Sequence, residues 1–235
     1  MKLASIVPMK NVSLTFSGQY AMLLAHLKDY YPKNYNENCY TIMDNSLIEL
    51  GGAVDVETVY KAAKQCGADE FILPDAFMDA DATIQEVIRG IGWLYTNDHI
   101  HEMRLMAVCQ GETLEEFTKC FRFLESIPEI HCIGIPKVAS TLLPEGRPGL
   151  EHLWKGSPKA IHLLGCWSTL EELTRYKNPA AIRSCDTCIP ALLSVNGIDQ
   201  CWAKRPAKTI DLVNDEIQQW AYEHIVDTLL DWGLL

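Results

Sequence analysis

One device recurs along this chain: a short apolar run that ends in an acid or an amide and is followed by a helix-length segment. It occurs at Thr41-Ile-Met-Asp44, Phe71-Ile-Leu-Pro-Asp75, Leu105-Met-Ala-Val-Cys-Gln110 and Ala181-Ile-Arg-Ser-Cys-Asp186. Apolar runs of this kind read as strands buried on both faces, and helices between them supply the long crossovers that parallel pairing needs. Lys2–Pro8, Cys132–Pro136 and Ala160–Gly165 add three strands, and Ala207–Leu212 is a candidate eighth. Helical spacing predicts helices over Gly18–Tyr30, from an Asp55 cap to Cys66, over Ala80–Tyr95 with Asp81 read as a cap, and over Glu112–Glu125. A short helix from a Ser168 cap to Tyr176 and a long one over Asn214–Leu230 complete the set, while Tyr31–Asn38 and Lys137–Pro158 read as irregular.

Seven or eight such units without a hairpin signal specify a (β/α)8 TIM-type barrel, irregular at its eighth unit. No Gly-x-Gly-x-x-Gly follows a strand, which weakens a dinucleotide-binding sheet as the alternative. With 235 residues, no internal repeat and no low-complexity linker, the expectation is one domain over residues 1–235.

In a parallel barrel, chemistry sits at the carboxyl ends of the strands. Asp44, Asp75, Gln110 and Asp186 all fall there. One strand-end aspartate is as often a helix cap as a catalyst, but three on one rim repel. At least one should therefore titrate high and act as an acid while another stays ionised. Carboxylates so paired serve displacement at a sugar carbon, one attacking and one handling protons. A metal site would recruit clustered histidines. Of the seven here only His162 lies near a strand end, and it reads as a strand residue. Cys185 and Cys188 flank Asp186 without a thioredoxin context or a zinc ligand set, so packing is their expected role.

Nine cysteines, most inside apolar runs, look like reduced thiols, and with no signal peptide and no apolar run near the ~18 residues of a membrane span the expected location is cytoplasmic. Net charge is −11, yet residues 133–208 carry ten Lys+Arg against six Asp+Glu, a balance of +4 that leaves −15 to the rest. Such asymmetry fits one phosphate-facing side on an acidic body. The expected phosphate contacts are Lys137, Arg147, Lys155, Lys159, Lys204 and Arg205.

Five segments, in order, carry a resemblance: Ile42-Met-Asp-Asn-Ser46, Leu73-Pro-Asp75, Val108-Cys-Gln-Gly111, the pair Ile133-Gly-Ile-Pro136 and Ile161–Gly165, and Ser184-Cys-Asp-Thr-Cys188 with Ser194-Val-Asn-Gly197 beyond it. Together they resemble the tRNA-guanine transglycosylase superfamily, and most closely its short phage branch, which inserts 7-deazaguanine derivatives into DNA. The resemblance implies that Asp186 is the nucleophile and Asp44 the general acid/base. It implies a base pocket made by Asp75, Gln110, Gly134, Ile135 and Leu164, with Asn45 and Ser46 beside it. It further implies DNA and a 7-deazaguanine base as substrates, no cofactor, and the host cytoplasm for a phage-encoded chain. Two departures stand out. Asn45-Ser46 replaces Ser-Gly-Gly, and the cysteine-rich zinc subdomain of the tRNA enzymes is missing, which removes the expected zinc and favours a monomer. RNA as substrate, a barrel lyase or hydrolase acting on a small molecule, and a non-catalytic binding subunit remain the alternatives.

Overall fold

The structure is a computed structural model and describes residues 1–16, 18–32, 39–166, 169–207 and 209–233. Eight parallel strands form its centre: β1 (Lys2–Ser5), β2 (Tyr20–Leu24), β3 (Tyr40–Asp44), β4 (Glu70–Ile72), β5 (Arg104–Val108), β6 (Ile130–Pro136), β7 (Ala160–Leu164) and β8 (Ser184–Thr187). Their hydrogen-bonded order is β1-β8-β7-β6-β5-β4-β3-β2, so β8 has come round to pair with β1, and among the described residues only the β1–β2 seam lacks a ladder. The result is a nearly closed (β/α)8 barrel. Around it lie α1 (Leu47–Leu50), α2 (Val56–Cys66), α3 (Ala80–Thr96), α4 (Leu114–Ser126), α5 (Glu151–Trp154), α6 (Ile189–Val195) and α7 (Gln219–Asp231). Among the described residues no helix is long and apolar enough to cross a membrane.

The helices start where local chemistry tells them to. The Asp55 side chain accepts from the Thr58 N–H at the head of α2, and Thr113 with Glu116 makes a reciprocal capping box on α4. The cap of α3 is Asp79, which accepts from the Ala82 N–H, and not Asp81; Asp81 lies inside the first turn and pairs with Lys119.

Three expectations change. Gly18–Tyr30 is not a helix. It contains strand β2 followed by a 3₁₀ segment, Ala25–Tyr30. Positions 20, 23, 24 and 27 fit helical spacing, but a strand buried on both faces shows no alternation against which to test it. This strand supplies the eighth stave, and the described part of 207–212 is irregular. The C-terminal helix begins at Gln219, five residues later than Asn214. The predicted Ser168 cap lies outside the described residues, and the 3₁₀ turn that follows, Leu170–Thr174, is capped by Thr169.

Strand alternation divides the core. Odd positions such as Leu23, Phe71, Ile133 and Leu163 face the helices and pack with Phe117 and Phe121. Even positions face the barrel axis, where Ala4, Met22, Ile42, Ile72, Met106 and Cys132 form a small apolar layer. Below it, at the amino ends of the strands, Arg183 lies over the Tyr20 and Tyr40 rings at 5.7 and 5.4 Å and pairs with Glu70 at 2.8 Å. Above it the barrel opens.

Candidate active site

The opening is a cavity of about 330 Å³ at the carboxyl ends of the strands, near the lower end of the ~300–1,000 Å³ usual for small-molecule sites. Asp44, Asp75, Gln110 and Asp186 all line it, as does Leu164. The acids and the amide that end the apolar runs are therefore gathered in one place. Asp44 is the last residue of β3, Asp75 and Gln110 follow β4 and β5, and Asp186 lies in β8 opposite Leu164 of β7.

Asp75 is held on both sides. Asn45 Nδ2 donates to Oδ1 at 2.7 Å and Gln110 Nε2 donates to Oδ2 at 2.6 Å. The orientation of both amides is fixed by the backbone. The Leu47 N–H donates to Asn45 Oδ1 and the Met78 N–H donates to Gln110 Oε1, so only the NH₂ groups are left to face the carboxylate. Burial nevertheless outweighs the two donors and pushes the Asp75 carboxyl up to about 6.

Asp44 titrates well above the ordinary carboxylate value, first because it is withdrawn from water, then because Glu49 and Asp186 face it; the Ser46 N–H at 3.1 Å offsets this only in part. Glu49, at the mouth of the cavity, is raised by desolvation and by Asp186 and lowered by Lys137. Nothing in the sequence reading singled out Glu49, because it sits in a short helix after the strand and not at its end.

Asp186 is buried, with Oδ1 accepting from His162 Nε2 at 3.0 Å and from the Gly165 N–H at 3.3 Å. Gly165 has a φ of +65°, the left-handed conformation that aims its N–H back at β8 and that a side chain would disfavour. His162 is the main omission of the sequence reading. The signal was present: β7 and β8 alternate, so if Leu164 and Asp186 face inward, His162 and Ser184 do too.

The other expected base-pocket residues divide. Asn45 braces Asp75, whereas the Ser46 hydroxyl bonds His26 at 2.8 Å and leaves only its N–H to Asp44. Gly134 sits lower in β6 and its carbonyl is taken by the Cys109 N–H. A Cβ there would lie 2.5 Å from Leu164 Cδ1, so Gly134 makes room for a cavity wall and is not itself in the lining. Ile135 is buried on the helix-facing side of the barrel, away from the cavity.

The expected phosphate contacts do not form one face. Lys137 and Arg205 line the cavity and Lys204 is exposed beside Arg205. Arg147 is fully buried. It pairs with Glu172 at 2.7 Å and donates to the carbonyls of Ile135, Leu164 and Gly165, tying the ends of β6 and β7 together. It is a brace behind the site, its buried guanidinium committing four of its five N–H donors to these partners. Lys159 donates to the carbonyls of Ile127 and Ile130 at 2.7 and 2.8 Å. Lys155 and Lys159 lie on the chain entering β7 at its amino end, the end of the barrel opposite Asp186.

Cys185 is buried, 3.8 Å from Cys166 Sγ, and burial pushes its thiol well up. Among the described residues no three His, Cys, Asp or Glu side chains converge so as to hold a metal ion. A scan against protein-family models gives no match, and a search of curated proteins finds none that is significantly similar.

Proposed function

We propose that this protein is a base-exchange transglycosylase that replaces guanine in DNA with a 7-deazaguanine derivative through a covalent aspartyl-glycosyl intermediate. The observation that carries the reading is the division of labour in one cavity. Asp44 is biased toward its protonated form, Asp186 is anchored through one oxygen by two donors, and Asp75 is clamped between two amides on the neighbouring wall. That is what a double displacement at a sugar carbon needs.

A guanosine leaves the stack and enters the cavity, its edge against Asp75 and Gln110. Asp186 attacks C1′ as the bond to the base breaks, and Asp44 protonates the departing guanine. Asp44, now a carboxylate, takes the proton from the incoming 7-deazaguanine, whose ring nitrogen attacks C1′ and releases Asp186. One N-glycosidic bond replaces another, so the exchange is close to thermoneutral. Lys137, Lys204 and Arg205 remain as phosphate contacts at the mouth. Ser46 supports the resemblance from another side: its φ is 60°, a left-handed conformation, at a place where the family pattern has glycine.

The test is incubation with DNA labelled in guanine, with and without 7-cyano-7-deazaguanine, with parallel arms using labelled tRNA and free guanosine. Release from DNA, lost in Asp186→Asn, is the expected result. Release only from tRNA or only from the nucleoside would transfer the activity to that substrate, and no release from any would remove the reading.

A further inference from the structure

A line of polar groups runs through the barrel from its base to Asp186. Arg183 Nε donates to Ser184 Oγ at 3.3 Å, Ser184 Oγ meets His162 Nδ1 at 2.8 Å, and His162 Nε2 meets Asp186 Oδ1 at 3.0 Å. Ser184 and His162 are fully buried, so each polar atom must find its partner inside this line.

The line runs in one direction when each member gives one proton to the next. A guanidinium only donates, so Arg183 gives its N–H to the serine oxygen. The serine hydrogen is then free to point at His162 Nδ1, which accepts it. The ring proton must sit on Nε2, from which it is given to the carboxylate. The line therefore favours the tautomer with its proton on Nε2.

The consequence for Asp186 is geometric. Oδ1 carries both its hydrogen bonds, from His162 and from Gly165, while among the described residues Oδ2 carries none. The other ionisable groups facing this carboxylate are Asp44, Glu49 and the thiols of Cys185 and Cys188, and among the described residues none of them is hydrogen-bonded to Oδ2.

We infer that His162 is a positioning residue for Asp186: its Nε2–H, fixed by Ser184 and Arg183, holds Oδ1 so that Oδ2 alone is presented to C1′. The inference rests on the reading of Asp186 as nucleophile. It does not depend on which base is exchanged. It assigns a purpose to an inward-facing strand residue with no direct reach to the substrate, since Leu164 and Asp186 lie above it on the same face.

The test combines two measurements on the intact protein. Nitrogen-15 NMR of histidine-labelled protein at neutral pH reads the tautomer of His162 directly, its resonance assigned by loss in His162→Gln. Base-exchange kinetics are then compared for the wild type, His162→Leu, His162→Gln and Ser184→Ala, each first checked for folding by circular dichroism and thermal melting. Glutamine places a donor where Nε2 was, and leucine cannot. The expected result is an Nε2–H ring, a kcat lowered about 10–100-fold in His162→Leu with KM for DNA little changed, and recovery of most of that loss in His162→Gln. Ser184→Ala, a smaller change two links away, should lower kcat in the same direction and mix the tautomers. A folded His162→Leu enzyme with wild-type kcat, or a ring protonated on Nδ1, overturns the inference. A wild type that shows the Nε2–H ring but exchanges no base overturns the transglycosylase reading instead, and leaves the hydrogen-bond line standing.

Discussion

Asp75 offers the sharpest test of how this cavity handles its charge. The carboxyl moves from an ordinary 3.8 to about 6 on folding, because burial outweighs the amides of Gln110 and Asn45. Each pKa unit is ~1.4 kcal/mol, so the shift corresponds to about 3 kcal/mol. A raised pKa means that the folded state holds the proton more tightly than the unfolded state. Stability from this group is therefore fully present below pH 3.8 and is lost as pH rises through about 6.

The perturbation is Asp75→Asn, which removes the titration and keeps the size. Asparagine can accept from one neighbouring amide, but its own NH₂ must face the other. Neither Asn45 nor Gln110 can turn, because backbone N–H groups hold their oxygens. That mismatch costs about 1–3 kcal/mol at every pH. The sign of the difference at pH 7 is therefore uninformative, and its slope is the measurement. Urea denaturation of both proteins between pH 3.5 and 7 should show the wild type losing about 3 kcal/mol relative to the variant, nearly all of it between pH 4 and 6. The other carboxylates cancel in the comparison. A flat difference, or one that grows in favour of the wild type with rising pH, would mean that the two amides win over burial and that the reasoning about this pocket is wrong. In the proposed reaction the same titration should weaken guanine binding below about pH 6, since a carboxylate accepts from two donors on the base edge and a carboxyl does not.

Two further outcomes separate the braces of the site from its contacts with substrate. Arg147→Met takes the guanidinium from the buried Glu172, which keeps the Tyr176 hydroxyl but loses its counter-charge, and from three carbonyls, so it should cost about 3–5 kcal/mol in chemical denaturation while leaving the salt dependence of DNA binding unchanged; a loss of binding slope with native stability would restore Arg147 to the phosphate set. Lys137→Gln with Arg205→Gln, at the cavity mouth, should flatten log Kd against log salt by about 0.9 per lost contact on duplex DNA or about 0.7 on single strands; an unchanged slope would place the phosphates elsewhere.

What the sequence could tell depended on whether chain direction alone fixes the answer. Asp44 and Asp186 were legible because the end of a parallel strand fixes both height and rim. Gln110 and Asp75, two and three residues past their strands, followed by the same rule. The charge balance of residues 133–208 was misleading for the converse reason. A βα unit runs from one end of the barrel to the other and back, so a basic stretch in sequence deposits Lys137 at the mouth and Lys159 at the opposite end. Arg147 gave no local sign of burial. Its four partners come from three separate segments, and only folding brings the ends of β6 and β7 against Glu172. Strand β2 was missed because burial on both faces erases the alternation that identifies a strand.

Strand-end position alone does not say which of the three acids carries the proton; the resemblance names Asp44, and the cavity supplies a physical reason. Four carboxylates, counting Glu49, share a cavity of about 330 Å³, and each ionised member raises the cost of the next. The proton should settle where hydrogen-bond donors are fewest. Asp75 has two amide donors and Asp186 has an imidazole and a backbone N–H. Asp44 has a single N–H from Ser46 and faces both Glu49 and Asp186. It is therefore the member that desolvation and repulsion push furthest toward the neutral form, and the one able to give a proton to a leaving group beside Asp186. The acid and the nucleophile thus differ physically in their partners, two to twenty-four residues away in the chain, and strand-end position by itself carries no trace of that difference.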